Sequence, residues 1–229
     1  MNLELDLERS GFTVDELSKA FKPMKEFLMY YSCAMEVVKT KIDVLNSEFE
    51  VKNSRNPVES VQSRLKEPAS IISKLDRLGH SRTLKDAEAY IFDIAGVRII
   101  CSFIKDIYML AGLLMKQEDM KLVRIKDYIR NPKPNGYRSL HLLLSVPIQL
   151  SDGKKDVIVE VQIRTAAMDF WASIEHKISY KKDFPGKEKI VLQLLDCASK
   201  INEIDDRLEK IDEAIEGSGD LTLSERMSQ

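Results

Sequence analysis

The 229 residues contain only three cysteines, seven prolines, nine glycines and one tryptophan, and these scarcities exclude several classes of protein. Cys33, Cys101 and Cys197 are far apart, odd in number and in no C-x-x-C spacing. No metal or redox role is expected of them, and three reduced, mostly buried thiols in a cytoplasmic protein fit best. No window approaches the roughly 18 consecutive apolar residues of a spanning helix, so no membrane partner is expected. The opening MNLELDLERSG is acidic and mixed, without the basic-then-apolar order of a signal peptide. Neither sign of charge dominates: 35 basic against 37 acidic residues leave a net charge of −2. Nucleic acid is not a required partner, and any anion site has to come from local clustering.

What is present is ordinary for a globular chain, with 44% hydrophobic and 31% charged residues and length enough for one core with helical additions. Thr13-Val-Asp-Glu16 matches a capping box, with Phe12 and Leu17 as a hydrophobic staple. Pro23 is expected to end or kink that first helix. Beyond it, Leu28, Tyr31, Met35, Val38, Ile42, Leu45 and Phe49 alternate spacings of three and four, which predicts a long amphipathic helix packed on the domain or on a partner helix. Residues 57–79 predict a helix, a break and a second helix with Pro68 in its first turn. A short helix over 83–92 follows. Four strands are then predicted at 97–103, 121–129, 137–146 and 156–163, with a helix over 105–116 between the first two and a hairpin turn at Asp152-Gly153.

A helix over 165–181 closes this part. The last element, 187–216, places Leu194, Ala198, Ile201, Ile204, Leu208, Ile211 and Ile215 on one side and is expected to stop at Gly217-Ser-Gly219. The division this implies is an N-terminal helical region (1–54), a central domain (55–182), a C-terminal helix (183–216) and a tail (217–229). Two amphipathic stripes around a small mixed sheet predict self-association.

The chemistry-bearing residues fall in three clusters. Strand residues alternate faces, so Val157, Val159, Val161 and Ile163 share one side of a strand while Glu160, Gln162 and Arg164 share the other. The neighbouring strand puts Tyr137, Ser139 and His141 on one side, so the two polar faces line a pocket if they coincide. In SRLKEPASIISKLDRL, Ser70, Lys74 and Arg77 fall on one helical stripe, with Arg64 and Lys66 just before it. Such a set is usually a solvated face, but it also suits the charge of a polyphosphate. Asp93, in FDIAGVRI, lies at a helix-to-strand junction where an aspartate is ordinarily a turn residue. Paired with Glu160 it would suit Mg²⁺, which takes one or two protein carboxylates together with phosphates and water.

These segments resemble the synthetase domain of the RelA/SpoT alarmone enzymes. The residues that carry the likeness are SRLKEPASIISKL, DIAGVRIICSF, KDYI, KPNGYRSLHL and VEVQIRTAAMDFWASIEHKISYK, within about 55–182. Without the hydrolase and regulatory domains of the long enzymes, the chain resembles a stand-alone small alarmone synthetase, most of all the RelP subtype. The resemblance implies an α/β (α+β) fold: a nucleotidyltransferase-like mixed sheet of about five strands flanked by helices. It implies transfer of the β,γ-pyrophosphate of ATP to the ribose 3′-hydroxyl of GDP or GTP, giving ppGpp or pppGpp and AMP, in a homotetramer.

By motif, Arg64, Lys66, Ser70, Lys74 and Arg77 would hold ATP, and Arg64 and Arg98 would sandwich its adenine. Asp93 and Glu160 would hold Mg²⁺, with Glu160 also the base for the attacking hydroxyl. Tyr137 would stack on guanine, Lys126, Lys133 and His141 would contact the acceptor's phosphates, and Gln162 and Arg164 would order the base of the site. Phe170, Trp171 and Ile174 are expected to pack their helix, while Glu175 and His176 either match a family motif or form a structural pair.

Three other activities fit less well. Alarmone hydrolysis would need the family's His-Asp motif, and His80, His141 and His176 are followed by Ser, Leu and Lys. Polynucleotide-extending relatives carry a Gly-Ser turn and a D-x-D pair that this sheet lacks. A catalytically inactive nucleotide- or RNA-binding regulator would not need both carboxylates and every basic position. Ser60 and Gln62 stand where product-activated relatives carry an aromatic and a Thr, which speaks against product activation.

Overall fold

The computed structural model describes residues 14–53, 55–179 and 187–226, with side chains over 21–52, 55–178 and 189–215. The elements run α1 (Val14–Asn53), β1 (Val58–Leu65), α2 (Pro68–Leu78), α3 (Leu84–Tyr90), β2 (Ala95–Cys101), α4 (Ile104–Met115), β3 (Lys121–Asp127), β4 (Leu140–Leu150), β5 (Gly153–Thr165), α5 (Ala166–Ser179) and α6 (Lys187–Arg226). Five strands form one sheet in the order β1-β2-β5-β4-β3. The β2–β5 pair is parallel and the other three are antiparallel, so the sheet is mixed.

One face of this sheet is the core. Val97 and Ile99 of β2, Val159, Val161 and Ile163 of β5, and Leu142 and Leu144 of β4 are buried there. They join one cluster with Ile107, Leu110 and Leu114 of α4 and with the α1 stripe from Tyr31 to Phe49. Each such Val, Leu or Ile stabilises the fold by roughly 1.5–3 kcal/mol, so a charge at Val161 would break the sheet's central strand. The α1 stripe is thus occupied by the chain's own core.

Several sequence expectations need correction. Residues 58–65 form a strand, not a helix: VESVQSRL pairs with β2 along a sheet edge, and its exposed polar positions hide the period of two. Arg64 therefore sits on a strand, and Lys66 lies in the connection before α2. The first helix runs on through Pro23, and the last continues past Gly217 and Gly219 to Arg226. β4 begins at Leu140, so Tyr137 and Ser139 lie in the loop that feeds it. Only Cys101 is buried; Cys33 and Cys197 are exposed. Thr13 and Phe12 lie outside the described residues, as does the staple side chain Leu17.

The remaining boundaries agree closely with expectation. Pro68 opens α2, and Gly79 closes it in the left-handed region at φ 75°. Thr83 caps α3, its hydroxyl accepting from the Asp86 N–H at 3.1 Å.

Candidate active site

Register decides what the second sheet face offers. Gln62 pairs with Arg98, Arg98 with Gln162, Gln162 with His141, and His141 with Lys126. One polar side chain from every strand therefore lies in a single row. The next row runs Arg64, Gly96, Glu160, Leu143 and Arg124. The polar faces of β4 and β5 coincide, as a pocket requires.

Asp93 stands at the mouth of β2 between two cations. Lys66 Nζ donates to its Oδ2 at 2.9 Å and Lys74 Nζ to its Oδ1 at 2.7 Å. Burial raises the Asp93 carboxyl, but the two ammonium groups outweigh it and hold it below the ordinary value. Ser70 and Arg77, about one turn to either side of Lys74 on α2, are exposed.

Glu160 is fixed by neighbours from two strands. Gln162 Nε2 donates to its Oε2 at 2.7 Å, and His141 Nδ1 lies 3.4 Å from Oε1. Burial raises this carboxyl too; the His141 contact and the Gln162 bond more than reverse it, while the Asp93 charge pushes upward. The two acids therefore feel one another. Among the described residues no group of three or more His, Cys, Asp or Glu side chains converges on a metal position. A coupled pair of hard carboxylate oxygens fits Mg²⁺ that takes its other ligands from phosphates and water.

Behind Glu160 runs a hydrogen-bonded chain. Arg164 Nη2 donates to the Tyr137 hydroxyl at 2.6 Å, and that hydroxyl lies 2.9 Å from His141 Nε2. The direction of the Tyr137–His141 bond follows the imidazole tautomer, because the phenol oxygen can accept from Arg164 whether it donates to Nε2 or accepts from it. Arg164 also donates to Gln162 Oε1 at 2.9 Å and to Asp169 Oδ1 at 3.0 Å. Its Nε lies 3.4 Å from the buried Ser139 hydroxyl, which donates to the Ile163 carbonyl at 3.2 Å.

The acceptor loop is built around Tyr137. Lys133 Nζ lies 4.6 Å from its ring centre and 4.7 Å from that of Tyr128. Burial, then the charge of Lys126, push the Lys133 ammonium below its ordinary value. Gly136 holds φ 87°, and a Cβ there would stand 2.6 Å from the Ala198 Cβ of α6. Trp171 Nε1 donates to the Leu194 carbonyl at 3.0 Å, tying α5 to α6. Trp171 is buried as expected, whereas Phe170 and Ile174 are exposed. Asn135 Nδ2 lies 3.4 Å from Glu175 Oε1, which puts Glu175 against the acceptor loop. His80 stacks on Tyr90.

The structure thus gathers Asp93, Glu160, Lys66, Lys74, Arg98, Gln162, Arg164, His141 and Tyr137 on one side of the sheet. Arg64 joins them through its charge on Arg98 and Lys126 through its place opposite His141. Sequence reasoning gave no role to Asp169, Tyr128 or Arg124. Asp169 had one signal: an acid in the first helical turn, five residues after an arginine at a strand end. Tyr128 and Arg124 lie beside the site through the path of β3, and Arg124 stacks over Phe92 at 5.8 Å.

A mixed sheet with a paired-carboxylate centre beside a cationic helix is nucleotidyltransferase-like. A model described as the region found in RelA / SpoT proteins matches residues 63–184. The chain is 42% identical over 195 residues to GTP pyrophosphokinase YwaC of Bacillus subtilis (strain 168), covering 85% of this chain and 93% of that one. Among solved structures, small alarmone synthetase 1 of Bacillus subtilis bound to its product pppGpp superposes with a TM-score of 0.77 at 36% identity. That superposition covers 85% of this chain and 99% of the other. The same relative bound to AMPCPP gives 0.71 at 33% identity, covering 86% and 99%. The chain belongs to the RelA/SpoT family.

Proposed function

We propose that this protein is a (p)ppGpp synthetase: it transfers the β,γ-pyrophosphate of ATP to the ribose 3′-hydroxyl of GDP or GTP and releases AMP. The observation that carries the reading is the convergence of Asp93 and Glu160 on the polar sheet face between the α2 cations and Tyr137. The named pyrophosphokinase relative and the pppGpp- and AMPCPP-bound neighbour support it. An inactive regulator would not need the two acids coupled in this way. We assign 55–182 to catalysis and, among subtypes, favour RelP for its PKPNGYRSLH and AMDFWASIEHKI segments.

In the mechanism, the acceptor's 3′-oxygen attacks the β-phosphorus of ATP, the bond from that phosphorus to the α-bridging oxygen breaks, and AMP leaves with that oxygen. Glu160 takes the hydroxyl proton, being ionised at neutral pH and aimed by Gln162 and His141. Asp93 and Glu160 would hold Mg²⁺, which when bound neutralises phosphate charge. Lys66 and Lys74, now on Asp93, are placed to turn to ATP phosphates together with Ser70 and Arg77. Arg64 and Arg98 lie diagonally on adjacent strands, a spacing suited to clasping the adenine. Guanine stacking on Tyr137 displaces the Lys133 ammonium, which with Lys126 then meets the acceptor's phosphates. His141, buried with its two ring nitrogens toward Tyr137 and Glu160, backs those residues in place of the phosphate contact expected from the resemblance. Such a reaction is driven by positioning and charge neutralisation, with no covalent intermediate.

We assign the protein to the cytoplasm as a homotetramer: the described residues contain no helix able to cross a membrane, and the outer half of the α6 stripe is exposed at Ile204, Leu208, Ile211 and Ile215. Incubation with ATP, GDP and Mg²⁺ is expected to yield ppGpp and AMP in equal amounts. ADP and free phosphate in their place would refute the assignment.

A further inference from the structure

One carboxylate oxygen joins two arginines of the site. Asp169 Oδ1 accepts from Arg164 Nη1 at 3.0 Å and lies 3.4 Å from Arg98 Nη1. Asp169 is rooted in the first turn of α5, directly after β5 delivers Arg164. That turn is anchored from the far side: Thr165 Oγ1 accepts from the Met168 N–H at 3.1 Å and donates to Asp205 of α6 at 2.8 Å. Arg164 is buried, while Arg98 keeps an exposed face, with its buried Nε without a hydrogen-bond partner. The two guanidiniums are close enough to repel one another. Asp169 supplies a counter-charge that both guanidiniums share.

We propose that Asp169 is a positioning residue shared by the two nucleotide subsites, its single oxygen linking Arg98 on the ATP side to Arg164 on the acceptor side. This rests on the donor and acceptor assignment made above. A nucleotide that stacks on Arg98 fixes that side chain, and through Asp169 it fixes Arg164. Arg164 in turn orients the Tyr137 hydroxyl and Gln162. The second nucleotide then meets a site already ordered, so less conformational freedom is lost when it binds. The link acts in both directions, because a coupling free energy is reciprocal.

The test is a calorimetric titration of GDP with Mg²⁺, with and without saturating AMPCPP, whose methylene replaces the bridging oxygen of the bond that breaks. In the wild-type protein AMPCPP is expected to tighten GDP binding about fivefold or more, the lower end of typical couplings. Asp169→Asn keeps the shape but removes the charge, and is expected to bring that factor close to one. Asp169→Glu, which keeps the charge, is expected to retain most of it.

An unchanged factor in Asp169→Asn would overturn the proposal, as would a factor lost equally in Asp169→Glu. The absence of any coupling in a wild-type protein that binds both nucleotides would also overturn it. Failure of the wild-type protein to bind either nucleotide would instead remove the functional reading itself.

Discussion

At the scale of single residues, Tyr137 does two things at once. Its ring faces the place proposed for guanine, and its hydroxyl carries the bond from Arg164 to His141. The two roles separate by substitution. Tyr137→Ala is expected to raise the KM for GDP about tenfold, the loss of one stacking contact, and to leave the KM for ATP little changed. Tyr137→Phe keeps the ring, so the GDP KM should stay near wild type while kcat falls. Steady-state kinetics with each substrate varied in turn decides it; equal effects of both variants on the GDP KM would contradict the stacking role.

The two acids set a pH response. Both are held below their ordinary values, Asp93 under 3.8 and Glu160 under 4.5, in each case against the pull of burial. A carboxyl with a depressed folded pKa contributes stability at higher pH and loses it as pH falls through the folded value. The melting temperature should therefore drop below about pH 4.5. Asp93→Asn and Glu160→Gln should each flatten that acid limb, and an unaltered limb in both would show that the Lys66, Lys74 and His141 contacts do not hold in solution.

At the scale of elements, the acceptor loop depends on α6. Gly136 both adopts a left-handed φ and lies where a Cβ would strike Ala198. Gly136→Ala is expected to cost about 1–3 kcal/mol from backbone strain alone and to raise the KM for GDP more than that for ATP. Thermal melts and kinetics check both; a variant as stable as wild type would mean that α6 does not brace the loop.

Elements with a strong period were readable in the chain itself. The alternation of VIVEVQIR put Glu160, Gln162 and Arg164 on one face, and the stripe at Ser70, Lys74 and Arg77 was correctly helical. β1 was not readable, because an edge strand with exposed polar positions has no apolar alternation to betray it. Strand register was also hidden. No local pattern places Gln62 beside Arg98, or Lys126 beside His141, since long-range pairing sets those rows. Asp169 escaped for the same reason: its importance lies in two arginines from different strands, not in its neighbours along the chain.

At the scale of the whole molecule, the two long helices serve different ends. The α1 stripe is spent on the core, so it gives no reason for association. The outer part of α6 keeps Ile204, Leu208, Ile211 and Ile215 exposed amid charge, an apolar row that a second copy would cover. Sedimentation at micromolar concentration is expected to show an assembly larger than the monomer. The double variant Ile204→Glu, Ile211→Glu should dissociate it, and a stable wild-type monomer would contradict the expectation.

The account as a whole depends on one centre, where Asp93 and Glu160 act together on the face of the sheet. Its most direct test is product formation from ATP and GDP with Mg²⁺, compared between wild type and Glu160→Gln. The variant should still fold and melt cooperatively near neutral pH, at a temperature lowered only by the loss of the charged Glu160 contacts. It should nonetheless lose about three orders of magnitude in ppGpp formation, within the range for loss of a catalytic base. Wild-type rates of pyrophosphate transfer by Glu160→Gln would contradict it.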